Sequence, residues 1–246
     1  MCGVFGIENN ENAAVMAFAG LITLQHRGEE SAGISANGDG TTYNTYRSMG
    51  LVAHIFKERI LNILSGKVAI GHVRYSTHSE STIINAQPFV YNCIHGTIAV
   101  AHNGNITNFE QIKNRLAKSG SIFNHTSDTE IVAHLLAENT GKTFGQIMKK
   151  AVQCLQGAFS LVLIQGNKLI GARDSFGFRP LVLGKVGKSY VLSSETSAIY
   201  AVGGNFIRDV KPGEIIVIEK GKIIESLQLA QKEKEKLCIF EQVYFS

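Results

Sequence analysis

The sequence predicts an α+β fold built on antiparallel sheets, and three observations carry that prediction. Strand-length apolar runs outnumber helical ones along the chain. These runs come in clusters flanking groups of helices, rather than alternating one for one with helices as a parallel sheet requires. The composition, 44% hydrophobic and 18% charged with 25 Gly and 3 Pro, is that of a globular protein and excludes collagen-like or largely disordered chains. At 246 residues the chain makes one large domain or two small ones. A chain of this size buries roughly 70–75% of its unfolded surface and needs no disulfide or metal to hold its core.

The elements follow in order. Cys2 to Ile7 is a glycine-punctuated apolar strand, placed where termini are usually polar and frayed, so the N-terminus itself is expected in the core. Ala13 to Gln25 has apolar residues at helical spacing, and Gly28 stops it. Strands are predicted at Ala32 to Ser35, Thr42 to Tyr46, Val68 to Val73 and Thr97 to Ala101. Asn105 to Asn108 reads as a turn opening a helix from Phe109 to Lys118. Ser127-Asp128-Thr129-Glu130 opens another through Glu138, and Phe144 to Leu155 a third. The second half is mostly strands: Ala158 to Ile164, Lys168 to Ala172, Leu181 to Leu183, Tyr190 to Ser193, Glu214 to Ile218 and Lys222 to Ser226, with a short helix near Thr196 to Val202. The charged stretch 232–236 reads as a boundary. The apolar segment Leu237 to Phe245 beyond it is expected to pack on something.

Several function classes are excluded at this level. The net charge of +4 comes with no basic stripe, so nucleic acid is not an expected partner. None of the four cysteines forms a CxxC pair, which leaves no support for a zinc ribbon or dithiol redox site, and the histidines show no ligand spacing, so no metal is expected. There is no P-loop and no GxGxxG opening a helix. No basic-then-apolar leader is read at the N-terminus, and no apolar run reaches the ~18 residues of a membrane span, so a cytoplasmic setting without membrane association is expected.

Cys2 is the sharpest candidate for chemistry. With Met1 removed it carries a thiol and a free α-amine on one carbon. An α-amine with a pKa of about 7.7–8.0 is partly unprotonated near neutrality and can serve as the base for the thiol. The plain alternative is a small buried residue near a chain end. Asn103 and Gly104 supply a side-chain amide and a backbone N–H suited to an oxyanion, though taken alone the pair reads better as an Asn-Gly turn at a strand end. Arg74, beyond a buried strand, can clamp a carboxylate or sit in a surface ion pair. Asp128 can face an ammonium or, with Ser127, cap a helix. Arg27, between Gly28 and the preceding helix, can reach substrate or simply brace a tight connection. Asp174 to Pro180 reads mostly as a turn.

Together these segments resemble the class II glutamine amidotransferases, the N-terminal-nucleophile glutaminases. The resemblance rests on Cys2-Gly3-Val4-Phe5-Gly6-Ile7, His26-Arg27-Gly28 with Ser31-Ala32-Gly33, Gly71-His72-Val73-Arg74-Tyr75-Ser76-Thr77, Asn103-Gly104-Asn105 and Ser127-Asp128-Thr129-Glu130. Within that class the chain is most similar to the glutaminase domains of the amidophosphoribosyltransferases, on Asn85-Ala86-Gln87-Pro88-Phe89, Gly177-Phe178-Arg179-Pro180-Leu181 and Cys238 to Phe245. The motifs run in the family's order over essentially the whole chain.

The resemblance implies a four-layer αββα sandwich of two antiparallel sheets, the N-terminal nucleophile hydrolase fold. It implies that Cys2 attacks the side-chain amide of glutamine, giving a γ-glutamyl thioester and ammonia. Asn103 and Gly104 would form the oxyanion hole, Arg74 and Thr77 would hold the α-carboxylate, Asp128 the α-ammonium, and Arg27 would join the substrate site. Residues 1–231 would be the glutaminase domain and 232–246 the start of a connection to a phosphoribosyltransferase domain outside these 246 residues. That partner would use Mg and phosphoribosyl pyrophosphate, and the full-length family implies a homo-oligomer serving purine biosynthesis. Full synthase activity is not expected from this chain alone. Glutaminase halves of other class II amidotransferases, and a non-catalytic glutamine-binding module on the same fold, are the alternatives. Two departures stand out. His78-Ser79-Glu80 replaces a stretch where the family often has glycine. Cys238 matches an iron–sulfur ligand of some members but lacks the companion ligands, so no cluster is expected and packing is its expected role.

Overall fold

A computed structural model describes residues 1–76, 81–229 and 236–245. Thirteen strands and eight helices are seen among these residues. The strands are β1 (Gly3–Ile7), β2 (Ser31–Asn37), β3 (Tyr43–Met49), β4 (Val68–Arg74), β5 (Phe89–Cys93), β6 (Gly96–Ile106), β7 (Gly157–Gln165), β8 (Lys168–Arg173), β9 (Val182–Val186), β10 (Ser189–Ser193), β11 (Asn205–Asp209), β12 (Glu214–Glu219) and β13 (Lys222–Gln228). The helices are α1 (Ala13–Thr23), α2 (Val52–Ile55), α3 (Glu58–Ile63), α4 (Phe109–Lys118), α5 (Glu130–Glu138), α6 (Phe144–Gln153), α7 (Thr196–Ala201) and α8 (Ile239–Tyr244).

The strands form two sheets, in the order β11-β9-β10-β1-β4-β2-β3 and β13-β12-β8-β7-β6-β5. Every neighbouring pair is antiparallel. The sheets face each other across a layer of aliphatic side chains that includes Val4, Ile70, Ala99, Ala101, Val162 and Leu192. On its outer face the first sheet carries α1, α2 and α7, packed over Phe5, Ile34 and Val191; the second carries α4, α5 and α6, packed over Val100, Leu161 and Val217. The order of layers is therefore αββα, as expected. With both sheet faces covered, β1, β2 and β4 are buried at every position, which is why they read as continuous apolar runs rather than alternating ones. The edge strand β13 is largely exposed and carries Lys222, Glu225 and Gln228, which discourage further pairing.

Two complementary steps lock α1 to the strands that carry the chain's start. Gly20 of α1 lies against the Phe5 ring so closely that a Cβ there would meet a ring carbon. One residue on, Leu21 fills the space above Gly71 of β4. The helix can approach this closely only because one partner in each pair lacks a side chain.

Three differences from the sequence reading have physical causes. Asn103-Gly104 does not turn: β6 runs on to Ile106, because β7 pairs with it continuously from Ile98 opposite Gln165 to Ile106 opposite Gly157. Strands β5 and β11, together with the short helices α2 and α3, are present where none is predicted. Finally, the C-terminal segment does pack, but through Glu241 and Phe245; Leu237, Ile239, Val243 and Tyr244 stay exposed.

Candidate active site

A cleft of about 740 Å³ opens at one end of the sandwich, lined by Cys2, Arg74, Tyr75, Ser76, His102, Gly104 and Asp128 among others. Strand alternation explains the convergence. Val4 faces the inter-sheet layer, so Cys2, two residues earlier, points the same way. On β4, Ile70 faces that layer and so do His72 and Arg74; on β6, Ala99 and Ala101 do, and so does Asn103. Gly3 pairs with Val73, which sets Cys2 beside Arg74 at the ends of adjacent strands.

Cys2 is half-buried, and its Sγ–H donates to the Tyr75 carbonyl at 3.5 Å. Burial pushes the Cys2 thiol up, so at neutral pH it is a thiol and needs a base to become a nucleophile. The chain's amino group lies at the same place. Burial lowers it from 8.0 to about 6, outweighing the opposing influence of Cys2. This amine belongs to Met1 and is largely unprotonated at pH 7.

Asn103 is fully buried, and among the described residues neither its amide nitrogen nor its amide oxygen has a hydrogen-bond partner. An unpaired buried amide costs about 1–3 kcal/mol, so its retention on the Cys2-facing side of β6 points to a ligand atom that it serves. Gly104 follows at φ +153°, and a Cβ there would collide with the Ala158 carbonyl oxygen and the Phe159 Cα. No other residue fits that step without moving β7.

Arg74 is 3% exposed and its Nη1 lies 3.9 Å from Glu30 Oε2. Glu30 in turn accepts from the Ser76 N–H at 2.7 Å and from the Ser76 hydroxyl at 2.8 Å. Although its partial burial works the other way, these bonds hold the Glu30 carboxyl below its usual range.

Asp128 does not cap α5. The α5 N-cap is Thr129, with no side-chain cap bond, while Asp128 Oδ2 accepts from the Ile106 N–H at 2.9 Å and Oδ1 lies 3.4 Å from His102 Nδ1. Burial alone would raise its pKa, but His102 and the Ile106 amide outweigh it and keep Asp128 ionised. The cleft thus carries a fixed guanidinium and a fixed carboxylate, the pair that an α-amino acid's two charged groups require.

One expected site residue is not described, and another lies away from the cleft. Thr77 lies outside the described residues, as do His78, Ser79 and Glu80. Arg27 does not line the cleft. It is 1% exposed, its Nε donates to the Cys2 carbonyl at 3.1 Å and its Nη1 to Glu195 at 2.7 Å, and Nη2 reaches Glu241. Its donors are engaged away from the cleft, on the Cys2 carbonyl and two carboxylates. Asp174 also exceeds the plain turn read from sequence: fully buried, it accepts from the backbone N–H groups of Phe159, Phe176, Phe178 and Arg179.

Sequence reasoning missed the residues that brace the site. Gln87 accepts from the His102 N–H at 2.8 Å and donates to Thr129 Oγ1 at 3.0 Å, tying β6 to the start of α5. His72 Nε2 donates to the His102 carbonyl at 3.0 Å; burial pushes His72 down to about 3, so it stays neutral. Gln87 and His72 lie inside quoted motifs, but only the fold reveals their partners. Among the described residues there is no group of three or more His, Cys, Asp or Glu placed to hold a metal, and no helix long and apolar enough to cross a membrane.

Residues 72–201 match the family described as "Glutamine amidotransferase domain". The chain is 44% identical over its whole length to amidophosphoribosyltransferase 3, chloroplastic, of Arabidopsis thaliana, covering 46% of that protein. It is 41% identical to the amidophosphoribosyltransferase of Archaeoglobus fulgidus, covering 54% of it. The solved glutamine phosphoribosylpyrophosphate amidotransferase of B. subtilis, complexed with ADP and GMP, superposes with a TM-score of 0.93 at 38% identity, over 100% of this chain and 53% of that one. The chain thus spans about half the length of the relatives it matches.

Proposed function

The chain belongs to the glutamine amidotransferase domain family, and from that premise we propose that it hydrolyses the side-chain amide of glutamine to glutamate and ammonia through Cys2. The observation that carries the reading is the buried, unpartnered Asn103 amide, which faces the same inter-sheet layer as Cys2 from the opposite sheet.

Glutamine binds with its α-carboxylate at Arg74, joined by Thr77, and its α-ammonium at Asp128. Those two anchors present the Cδ amide to Cys2. After removal of Met1, the Cys2 α-amine takes the thiol proton as Sγ bonds to Cδ. The oxyanion that forms is stabilised by the Asn103 side-chain N–H and the Gly104 backbone N–H. The amine returns the proton to the leaving nitrogen, the C–N bond breaks, and ammonia departs from a γ-glutamyl thioester. Water, activated by the same amine, then cleaves the thioester to glutamate and regenerates the thiol. Every group in this cycle belongs to the chain itself, so the step calls for no cofactor.

The relatives' names support a further proposal about the ammonia. A phosphoribosyltransferase domain, with Mg and phosphoribosyl pyrophosphate, would consume it in purine biosynthesis, within a homo-oligomer. In that reading residues 1–231 are the glutaminase domain and 232–246 begin the connection. The proposal carries a cytoplasm-like reducing setting, which a catalytic thiol needs.

The test is ammonia and glutamate release from glutamine by the chain and by Cys2→Ala. Equimolar products from the wild type, falling about a thousandfold or more in Cys2→Ala, are expected. Activity that survives the substitution contradicts the reading.

A further inference from the structure

The glutaminase cycle does not use the charged cluster behind the nucleophile. Arg27 sits at its centre, its planar guanidinium held by two carboxylates from the C-terminal part of the sequence: Glu195 on Nη1 and Glu241 on Nη2. Its third nitrogen, Nε, bonds the Cys2 carbonyl, and its face lies 5.3 Å from the centre of the Phe245 ring. Glu241 Oε2 is also 3.7 Å from Arg179 Nη1. Glu241 is the contrast within α8. Its side chain is 12% exposed, while Ile239, Phe240, Val243 and Tyr244 are 51–75% exposed. This short helix is thus anchored at the amino terminus by a carboxylate, with most of its apolar side chains left outside.

The geometry of a planar fork gives this anchor a consequence. Nε is fixed relative to Nη1 and Nη2, so the direction of its bond to the Cys2 carbonyl follows from where both carboxylates hold the fork. Glu195 is shared, because it also accepts from His26 at 2.8 Å and from the Ser197 hydroxyl at 2.9 Å. Without Glu241 the guanidinium is drawn toward Glu195 alone, and Nε turns away from the carbonyl.

We propose that Glu241 is a positioning residue: acting through Arg27, it fixes the Cys2 carbonyl and thereby the direction in which the nucleophile points into the cleft. The seating of the C-terminal helix is in this way coupled to the alignment of Cys2. The inference rests on the reading of Cys2 as the nucleophile.

The test uses the full 246-residue chain and its Glu241→Gln and Glu241→Asp variants, with two readouts. One is glutaminase kcat and KM; the other is the carbonyl ¹³C resonance of Cys2 in cysteine-labelled protein, with Cys93 and Cys154 as internal references. Glu241→Gln is expected to lower kcat by about 10- to 100-fold, the scale of a misaligned reacting group. KM should stay near wild type, because Arg74 and Asp128 are untouched, and the thermal midpoint should hold. The Cys2 resonance moves while the references stay, and Glu241→Asp recovers part of kcat. An unchanged kcat, a change confined to KM, a loss that follows a lowered thermal midpoint, or an unmoved Cys2 resonance each overturns the proposal. If the wild type itself releases no ammonia, the functional reading fails on its own. The Cys2 resonance then still decides whether Glu241 holds Cys2.

Discussion

At the residue scale, the decisive fact is that one end of β1 raises a thiol and lowers an amine. Both shifts come chiefly from burial, which disfavours the charged form of each group. The amine so lowered is Met1's; general-base activation needs the same neutral state of the Cys2 amine that takes its place once Met1 is removed. A pH prediction follows, and its sign is fixed. The amine must be unprotonated to accept the thiol proton, so activity falls as pH drops through the amine's pKa. Burial lowers the Met1 amine to about 6, and burial at the same end of β1 acts in the same direction on the Cys2 amine that removal of Met1 uncovers. The acid limb of kcat/KM for glutamine should therefore lie below the 8.0 of an exposed amine. A pH–rate profile of the Met1-free chain checks this, and a limb at 8 or above contradicts it. Cys2, Arg74, Asn103, Gly104 and Asp128 were legible in the sequence as candidates, because each sits in a short motif whose residue types suit one chemical task. Glu241 was not, since its partner Arg27 is 214 positions away. Arg27 was legible as a residue of interest but not in its role, because only the fold shows that it approaches Cys2 from behind.

At the element scale, close approach between helices and strands sets where Cys2 can sit. Gly20 of α1 lies on Phe5 of β1, two residues from Gly3. Replacing Gly20 with Ala sets two effects against each other. Helix propensity favours Ala by about 0.8–1 kcal/mol. Overpacking opposes it by about 1–3 kcal/mol, because a Cβ would meet the Phe5 ring, which is fully buried and cannot swing out. The packing cost wins, so Gly20→Ala should be net destabilising by about 1 kcal/mol in denaturant unfolding; a gain in stability would show that α1 can lift away. Most strands and the longer helices could be read from their apolar periodicity. The exceptions have local reasons. β11 is an edge strand with Phe206 and Ile207 exposed, and β5 alternates buried and exposed positions over only five residues. The Asn-Gly pair in β6 carried a turn signal, but nine consecutive register pairs with β7 override it.

At the scale of the whole molecule, the two sheets and the approach to α5 bring the described candidate site residues to one end of the sandwich. β1 brings Cys2, β4 brings Arg74, β6 brings Asn103 and Gly104, and the approach to α5 brings Asp128. The layered architecture was legible as a class, α+β with antiparallel sheets; the pairing order was not, because β1 finds β4 and β10 across long stretches of sequence. The apolar face left on α8 was expected to be covered, and in this chain it is exposed. The central claim is that Cys2, freed of Met1, is a nucleophile aimed at a glutamine side chain. Its most direct test is intact mass and peptide mapping after exposure to a diazoketone analogue of glutamine. The account predicts a Met1-free chain with one adduct, at Cys2, and protection by excess glutamine. A Met1-free chain with Cys2 unmodified, or labelling that glutamine does not suppress, would contradict it.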